Sequence, residues 1–152
     1  MLSATPRRVP AAQFFTGYRT TALARNELVT AIRIPKQPGR GAFLKLGARR
    51  YLVISIAMVA GVVDLDPKGR VITAKIAVGA CSAAAQRLPK LESALRGASL
   101  DPDLVSPDHF ADLAPLDDIR GSAEYRRHAA MELARDLIAS LATSPLAEAA
   151  HA

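Results

Sequence analysis

The sequence has no tryptophan, a single cysteine and only 5% aromatic residues, and each shortage removes a class of reading. With Cys81 alone, no disulfide closes within the chain, and neither a Cys-x-x-Cys redox pair nor a thiolate zinc cluster can be built. Cys81 therefore reads as a small buried residue. His109 and His128 lack a Cys, His or carboxylate at the spacing that zinc or iron sites use, so both read as surface histidines. The sparse aromatics leave no basic-aromatic segment of ribonucleoprotein type, and no nucleic-acid partner is expected. No apolar run reaches the ~20 residues of a membrane span. The longest, residues 51–63, is interrupted by Ser55 and Gly61 and reads as a buried strand. No signal-like N-terminal stretch is present, which with the lone cysteine points to the cytoplasm. Walker and Gly-x-Gly-x-x-Gly loops are missing, and Ser82 has no nucleophile elbow around it. No catalytic residue and no metal site are expected.

What is present is a chain of 152 residues, half of them apolar, enough for one domain with a real core. Its net charge of +6 is unevenly spread: residues 1–76 carry +10 and residues 77–152 carry −4. The basic half suits a phosphate-bearing ligand or an acidic protein face. Residues 1–26 read as a lead-in in which Phe14, Phe15 and Tyr18 act as aromatic anchors. From Glu27, the alternation of Leu28, Thr30, Ile32 and Ile34 up to Pro35 predicts a first strand, able to pair as a hairpin with Ala42–Leu46. Residues 52–64 and 70–80 flank Asp66-Pro67-Lys68-Gly69 and predict a second hairpin. After that the period changes. Leu88, Leu91 and Leu95 predict a short helix stopped by Gly97, and Ser106-Pro107 starts a second that presents Phe110 and Leu113 inward. Ser122 to Ala142 predicts a long helix with a stripe of Ala130, Leu133, Leu137, Ile138 and Leu141; Arg126, Arg127 and Arg135 lie mainly outside it, and Arg135 lacks an acid four residues before it. The fold class expected is α+β: an antiparallel sheet of three to four strands packed against a C-terminal bundle of about three helices, with a frayed tail over 143–152.

Two constellations stand out. Lys45, Gly47, Arg49, Arg50 and Tyr51 put a glycine-bearing loop, two guanidinium groups and a ring together, which suits a phosphate or a flat ring, or simply makes a solvated basic loop. Asp117 to His128 combines turn chemistry with a helix start: Gly121 permits the turn, Ser122 caps, Glu124 sits in the first helical turn, and Arg120 pairs with one of the two aspartates. Adjacent carboxylates point apart, so Asp117 and Asp118 do not read as an acid/base pair.

Three segments taken together carry a resemblance: Phe14-Phe15-Thr16-Gly17-Tyr18-Arg19-Thr20-Thr21 leading to Glu27-Leu28 and Ile32-Arg33-Ile34-Pro35, then Lys45 to Ser55, then Asp117 to His128. Their order and spacing, over residues 8–142, resemble the FAD-binding medium subunit of molybdenum hydroxylases, the group of xanthine dehydrogenase, carbon monoxide dehydrogenase and aldehyde oxidase. The resemblance is to the end of that subunit. The two loops with which the family cradles FAD, of the patterns Ala-Gly-Gly and Thr-Ile-Gly-Gly-Asn, do not occur here. It implies a lead-in over 1–26 from a missing FAD-binding domain and a C-terminal flavoprotein domain over 27–142. By the same resemblance, Phe43 or Leu44 on the second strand approaches the flavin, Lys45 belongs with them, and Arg49, Arg50 and Tyr51 lie in the loop beside it. Asp118, Arg120, Ser122, Tyr125 and Arg126 are the structural signature. The resemblance further implies FAD as cofactor, with the molybdenum cofactor and iron-sulfur clusters on partner subunits, and as partners an FAD-binding domain, an iron-sulfur subunit and a molybdenum subunit. The alternative is a non-catalytic interaction or dimerisation domain that has lost flavin binding.

Overall fold

The computed structural model describes residues 6–143, which fall into two compact units divided between Lys36 and Gln37. The tail expected to fray lies, apart from Thr143, outside the described residues.

In the first unit, a single helical turn α1 (Ala11–Phe14) leads into β1 (Phe15–Gly17), which pairs antiparallel with β2 (Thr20–Thr21). A fork holds the unit: Arg7 donates from Nε and Nη2 to the Glu27 carboxylate at 2.7 and 2.6 Å and from Nη2 to the Ala22 carbonyl at 2.6 Å. The Ala24 N–H also donates to Glu27, at 2.8 Å. These bonds, that from Arg7 foremost, bring the Glu27 carboxyl down to about 2. The aromatic anchors do not sink into a core: Phe14 meets Phe15 edge-on at 5.1 Å, while Phe15 and Tyr18 stay mostly exposed.

The strand expected over Leu28–Ile34 is not formed. Ile32 and Ile34 are each 83% exposed, and no strand is assigned there. Its alternation is right for a strand, but a strand needs a neighbour to receive its amides and carbonyls, and none of the described strands takes that place. The predicted hairpin with Ala42–Leu46 is therefore corrected: that segment pairs forward.

The second unit is a four-stranded antiparallel sheet, β3 (Arg40–Gly47), β4 (Ser55–Leu65), β5 (Val71–Gly79) and β6 (Gln86–Arg87), in sequential order. β3 registers Phe43 against Ala60, and β4 registers Ala60 against Ala77. The β4–β5 turn is the expected one: Asp66 accepts from the N–H groups of Lys68 and Arg70 at 2.8 and 2.9 Å, and Gly69 takes the positive φ. The apolar run 51–63 is only partly strand, since Tyr51 and Leu52 are exposed and pairing starts at Ser55.

Among the described residues of this unit, the helices lie on one face of the sheet. α2 (Pro89–Leu95) packs on β5, and α3 (Ala123–Thr143) lies across β3 and β4, with 3-10 turns at Pro102–Leu104 and Pro107–Phe110 between them. Inward residues of alternate strand positions, Val59, Val63, Ile76 and Val78, meet Leu91, Leu95, Phe110, Leu137, Ile138 and Leu141 in one core. The second expected helix shrinks to a 3-10 turn because His109 Nδ1 accepts from the Ser106 N–H at 3.1 Å, closing the turn locally. His109 is thus a cap rather than a free surface histidine; burial lowers its pKa, which favours the neutral ring this bond needs.

The stripe of α3 extends one turn further than expected. Arg126 is buried, at 4% exposure, because it lies four residues before Ala130 on the core face. Arg135 does find an acid, Glu132, at 2.6 Å and one turn back, and donates to the Val105 carbonyl at 3.1 Å.

Candidate functional site

With helices on one side, strand alternation sends the other set of side chains to the open face of the sheet. Gly41 and Phe43 of β3, Ala60 and Val62 of β4, and Lys75 and Ala77 of β5 line a shallow open hollow of about 510 Å³, with Arg87 of β6 at its border. Its floor is small and apolar because glycine and alanine occupy the central positions. Phe43 is its aromatic side chain, 59% exposed. Lys75 donates to the Gln37 side chain, and Arg87 forms a fork with Glu92 at 2.5 and 2.7 Å. Phe43 and Leu44 are neighbours on a strand and so face opposite ways: Leu44 packs against the core under the helices, and only Phe43 is available to a ligand on the open face.

At the end of β3 the basic loop turns back. Lys45 Nζ donates across it to the Val53 carbonyl at 2.7 Å, and Arg49 Nη2 donates to the Leu52 carbonyl at 2.7 Å. Both cations are thus engaged in shaping the loop. Arg50 stacks its guanidinium over the Tyr51 ring at 5.2 Å, and this pair is exposed. Lys45, Leu46, Gly47, Arg49 and Arg50 border a second hollow of about 360 Å³. Leu52 has a φ of 51°, an unusual conformation for a branched side chain.

The second constellation assembles around Arg126. Asp118 accepts the Arg120 N–H at 2.8 Å, Arg120 Nη1 at 2.6 Å and Arg126 Nη2 at 2.6 Å, while Arg126 Nη1 donates to the Ile56 carbonyl at 2.7 Å. The backbone N–H of Arg120 is the first cause holding the Asp118 carboxyl below its ordinary range, with the two guanidinium groups adding to it. Asp117 accepts the Ala123 N–H at 2.7 Å and Ser122 Oγ accepts the Tyr125 N–H at 3.1 Å, so the two carboxylates do separate jobs at the helix start. Arg126 belongs to the expected structural signature, but its burial is not foreseen there, since the sequence reading puts it mainly outside the apolar stripe. The signal available was its spacing of four from Ala130, which places it on the buried face.

Cys81 is fully buried, and its Sγ donates to the Arg126 carbonyl at 3.6 Å; burial raises its pKa. Ser82 donates to the Cys81 carbonyl and accepts from the Ala114 N–H, leaving it structural. Among the described residues, no group of three His, Cys, Asp or Glu side chains could hold a metal ion, and no helix is long and apolar enough to cross a membrane.

The sheet and helix unit coincides with a known domain. Residues 42–141 match the model of the CO dehydrogenase flavoprotein C-terminal domain. The chain belongs to that family. It is 33% identical over 138 residues to the nicotine 6-hydroxylase medium subunit of Paenarthrobacter nicotinovorans, covering 87% of this chain and 47% of the relative. Among solved structures, quinoline 2-oxidoreductase from Pseudomonas putida 86 superposes with a TM-score of 0.83 at 26% identity, over 92% of this chain and 50% of that one. CO dehydrogenase from Oligotropha carboxidovorans superposes with a TM-score of 0.81 at 29% identity, over 91% and 50%. The chain thus spans about half the length of the relatives it matches.

Proposed function

We propose that this chain is the C-terminal part of the flavoprotein subunit of a molybdenum hydroxylase-type oxidoreductase, covering FAD and docking partner subunits during electron transfer from iron-sulfur clusters to an acceptor. The observation that carries the reading is the open face of the sheet. A flat floor of Gly41, Ala60 and Ala77 with Phe43 exposed beside it suits one face of a planar ring, and it excludes water from that ring without enclosing it.

The residues present fit a cover and not a container. The hollow is shallow, and the glycine-rich phosphate loops of the family do not occur in the sequence. FAD is therefore held by a flavin-bearing half, on this or another chain, and when bound supplies the electron relay between clusters and acceptor. Phe43 supplies apolar contact, Leu44 anchors β3 from beneath, Lys45 and Arg49 hold the loop in shape, and Arg50 with Tyr51 forms a charged flat lip beside the ring. None of these residues moves a proton or forms a bond to substrate. The molybdenum cofactor and the iron-sulfur clusters belong to the partner subunits, and the complex works in the cytoplasm.

The test starts from the native complex purified with this chain. It is expected to show flavin absorbance, and Phe43→Ser is expected to make the flavin more accessible to iodide quenching by about twofold or more. A complex that retains its partners without flavin would turn the conclusion to a non-catalytic interaction domain; unchanged quenching would remove Phe43 from the site.

A further inference from the structure

The hollow on the open face of the sheet is apolar at its floor but carries two cations, Lys75 of β5 and Arg87 of β6, and they differ in what meets them. Arg87 is forked onto the Glu92 carboxylate at 2.5 and 2.7 Å, so its charge is paired. Lys75 donates to the side-chain oxygen of Gln37, and an amide cancels no charge. Asp64 shares this face of β4 with Val62, the register partner of Lys75, and is the nearby acid; among the described residues no ion pair joins it to Lys75.

The Gln37 bond also fixes where that charge stands. Gln37 precedes β3, Lys75 is on β5, and β4 runs between those two strands, so the bond draws the lysine stem across the middle strand on the open side of the sheet. The ammonium is thus held at the Val62 end of the hollow, with Gly41, Ala60 and Ala77 making the flat floor next to it. A charge fixed beside an apolar floor acts weakly while water fills the hollow and strongly once a flat ring displaces that water.

We propose that Lys75 tunes the reduction potential of the flavin that this face covers. A ring that takes up two electrons from reduced iron-sulfur clusters together with one proton gains one negative charge, and a cation standing beside it favours that reduced state over the oxidised one, with no bond made or broken at the lysine. Gln37 is the positioning residue. The inference rests on the flavoprotein reading above and adds to it a residue on a different strand from Phe43 and outside the basic loop.

The native complex purified with this chain is titrated with dithionite in the presence of redox dyes while the flavin absorbance is followed. Lys75→Met and Lys75→Gln are each expected to shift the flavin equilibrium about tenfold towards the oxidised form, a fall of about 30 mV in midpoint potential for a two-electron couple, while Lys75→Arg stays within about twofold of wild type in that equilibrium. Lys75 is exposed, so flavin content and thermal midpoint are expected to stay at wild-type values in all three variants. The assignment is overturned if both neutral variants keep the wild-type potential, if they raise it, or if Lys75→Arg lowers it as far as they do, which would make shape and not charge the cause. A complex that lacks flavin removes this inference together with the flavoprotein reading; a flavin present at an unmoved potential removes this one alone.

Discussion

A guanidinium removed from water is expensive unless its donors are met, and Arg126 meets the cost by joining a carboxylate and a strand carbonyl. Its Nε finds no partner among the described residues, so satisfaction there is incomplete and the geometry of the other two bonds matters more. Asp118 is the titratable end of this arrangement. Its pKa is lowered from the ordinary 3.8 in the folded chain, so the stability it contributes is present above that value and disappears as the pH falls through the depressed one. We expect Asp118→Asn to lower stability at neutral pH and to flatten the loss of stability seen below about pH 4. Urea unfolding midpoints measured from pH 7 down to acid would show this as converging curves; parallel curves would mean that Asp118 is not linked to folding.

Whole elements show which signals survive in sequence and which do not. The β4–β5 hairpin was legible because its turn chemistry is local: Asp66 and Gly69 determine it without help from elsewhere. The long helix was legible from its period, and Ser122 caps it as its position indicates. Leu28–Ile34 misled because alternation reports that a strand could form there, whereas pairing depends on a neighbour that the pattern does not contain. Arg126 misled for the opposite reason, since charge type outweighed its position on the helix. In the candidate site, the basic loop could be read from Gly47, Arg49 and Arg50, but the hollow could not: Ala60, Ala77 and Lys75 lie on separate strands, and only register brings them beside Phe43. Two glycines, one just before β3 and one in the β4–β5 turn, make a sharper case. Gly69 has a φ of +78° with open space where a Cβ would stand, while Gly39 has a φ of +91° and a Cβ there would strike the Val63 carbonyl. Gly69→Ala should cost about 1 kcal/mol, from conformation alone, and Gly39→Ala about 3 kcal/mol or more, because the obstacle is backbone that cannot rotate away. Equal losses in denaturant unfolding would show that β3 can shift to accept the methyl group.

At the scale of the molecule, burial is unevenly distributed. Every buried apolar side chain of the described residues lies at or after Ile56, so the second unit holds the core while the first is held by the Arg7–Glu27 fork and a two-stranded pairing. A cooperative unit needs enough buried area to offset chain entropy, and only the second has it. The first unit carries Arg19, Arg25 and Arg33 in exposed positions with no buried apolar side chain among its described residues, whereas the exposed Arg49 and Arg50 of the core unit sit in a loop braced by the Arg49–Leu52 bond. Local opening should therefore expose the first unit to trypsin well before the sheet and α3 open. Brief digestion under native conditions is expected to leave a fragment starting after Arg33 or Lys36 with the thermal midpoint of the intact chain unchanged within a few degrees. If removing residues 1–36 lowers that midpoint substantially, the sheet and helices draw stability from the first unit, and the core from Ile56 to Leu141 is not sufficient to fold as an independent domain.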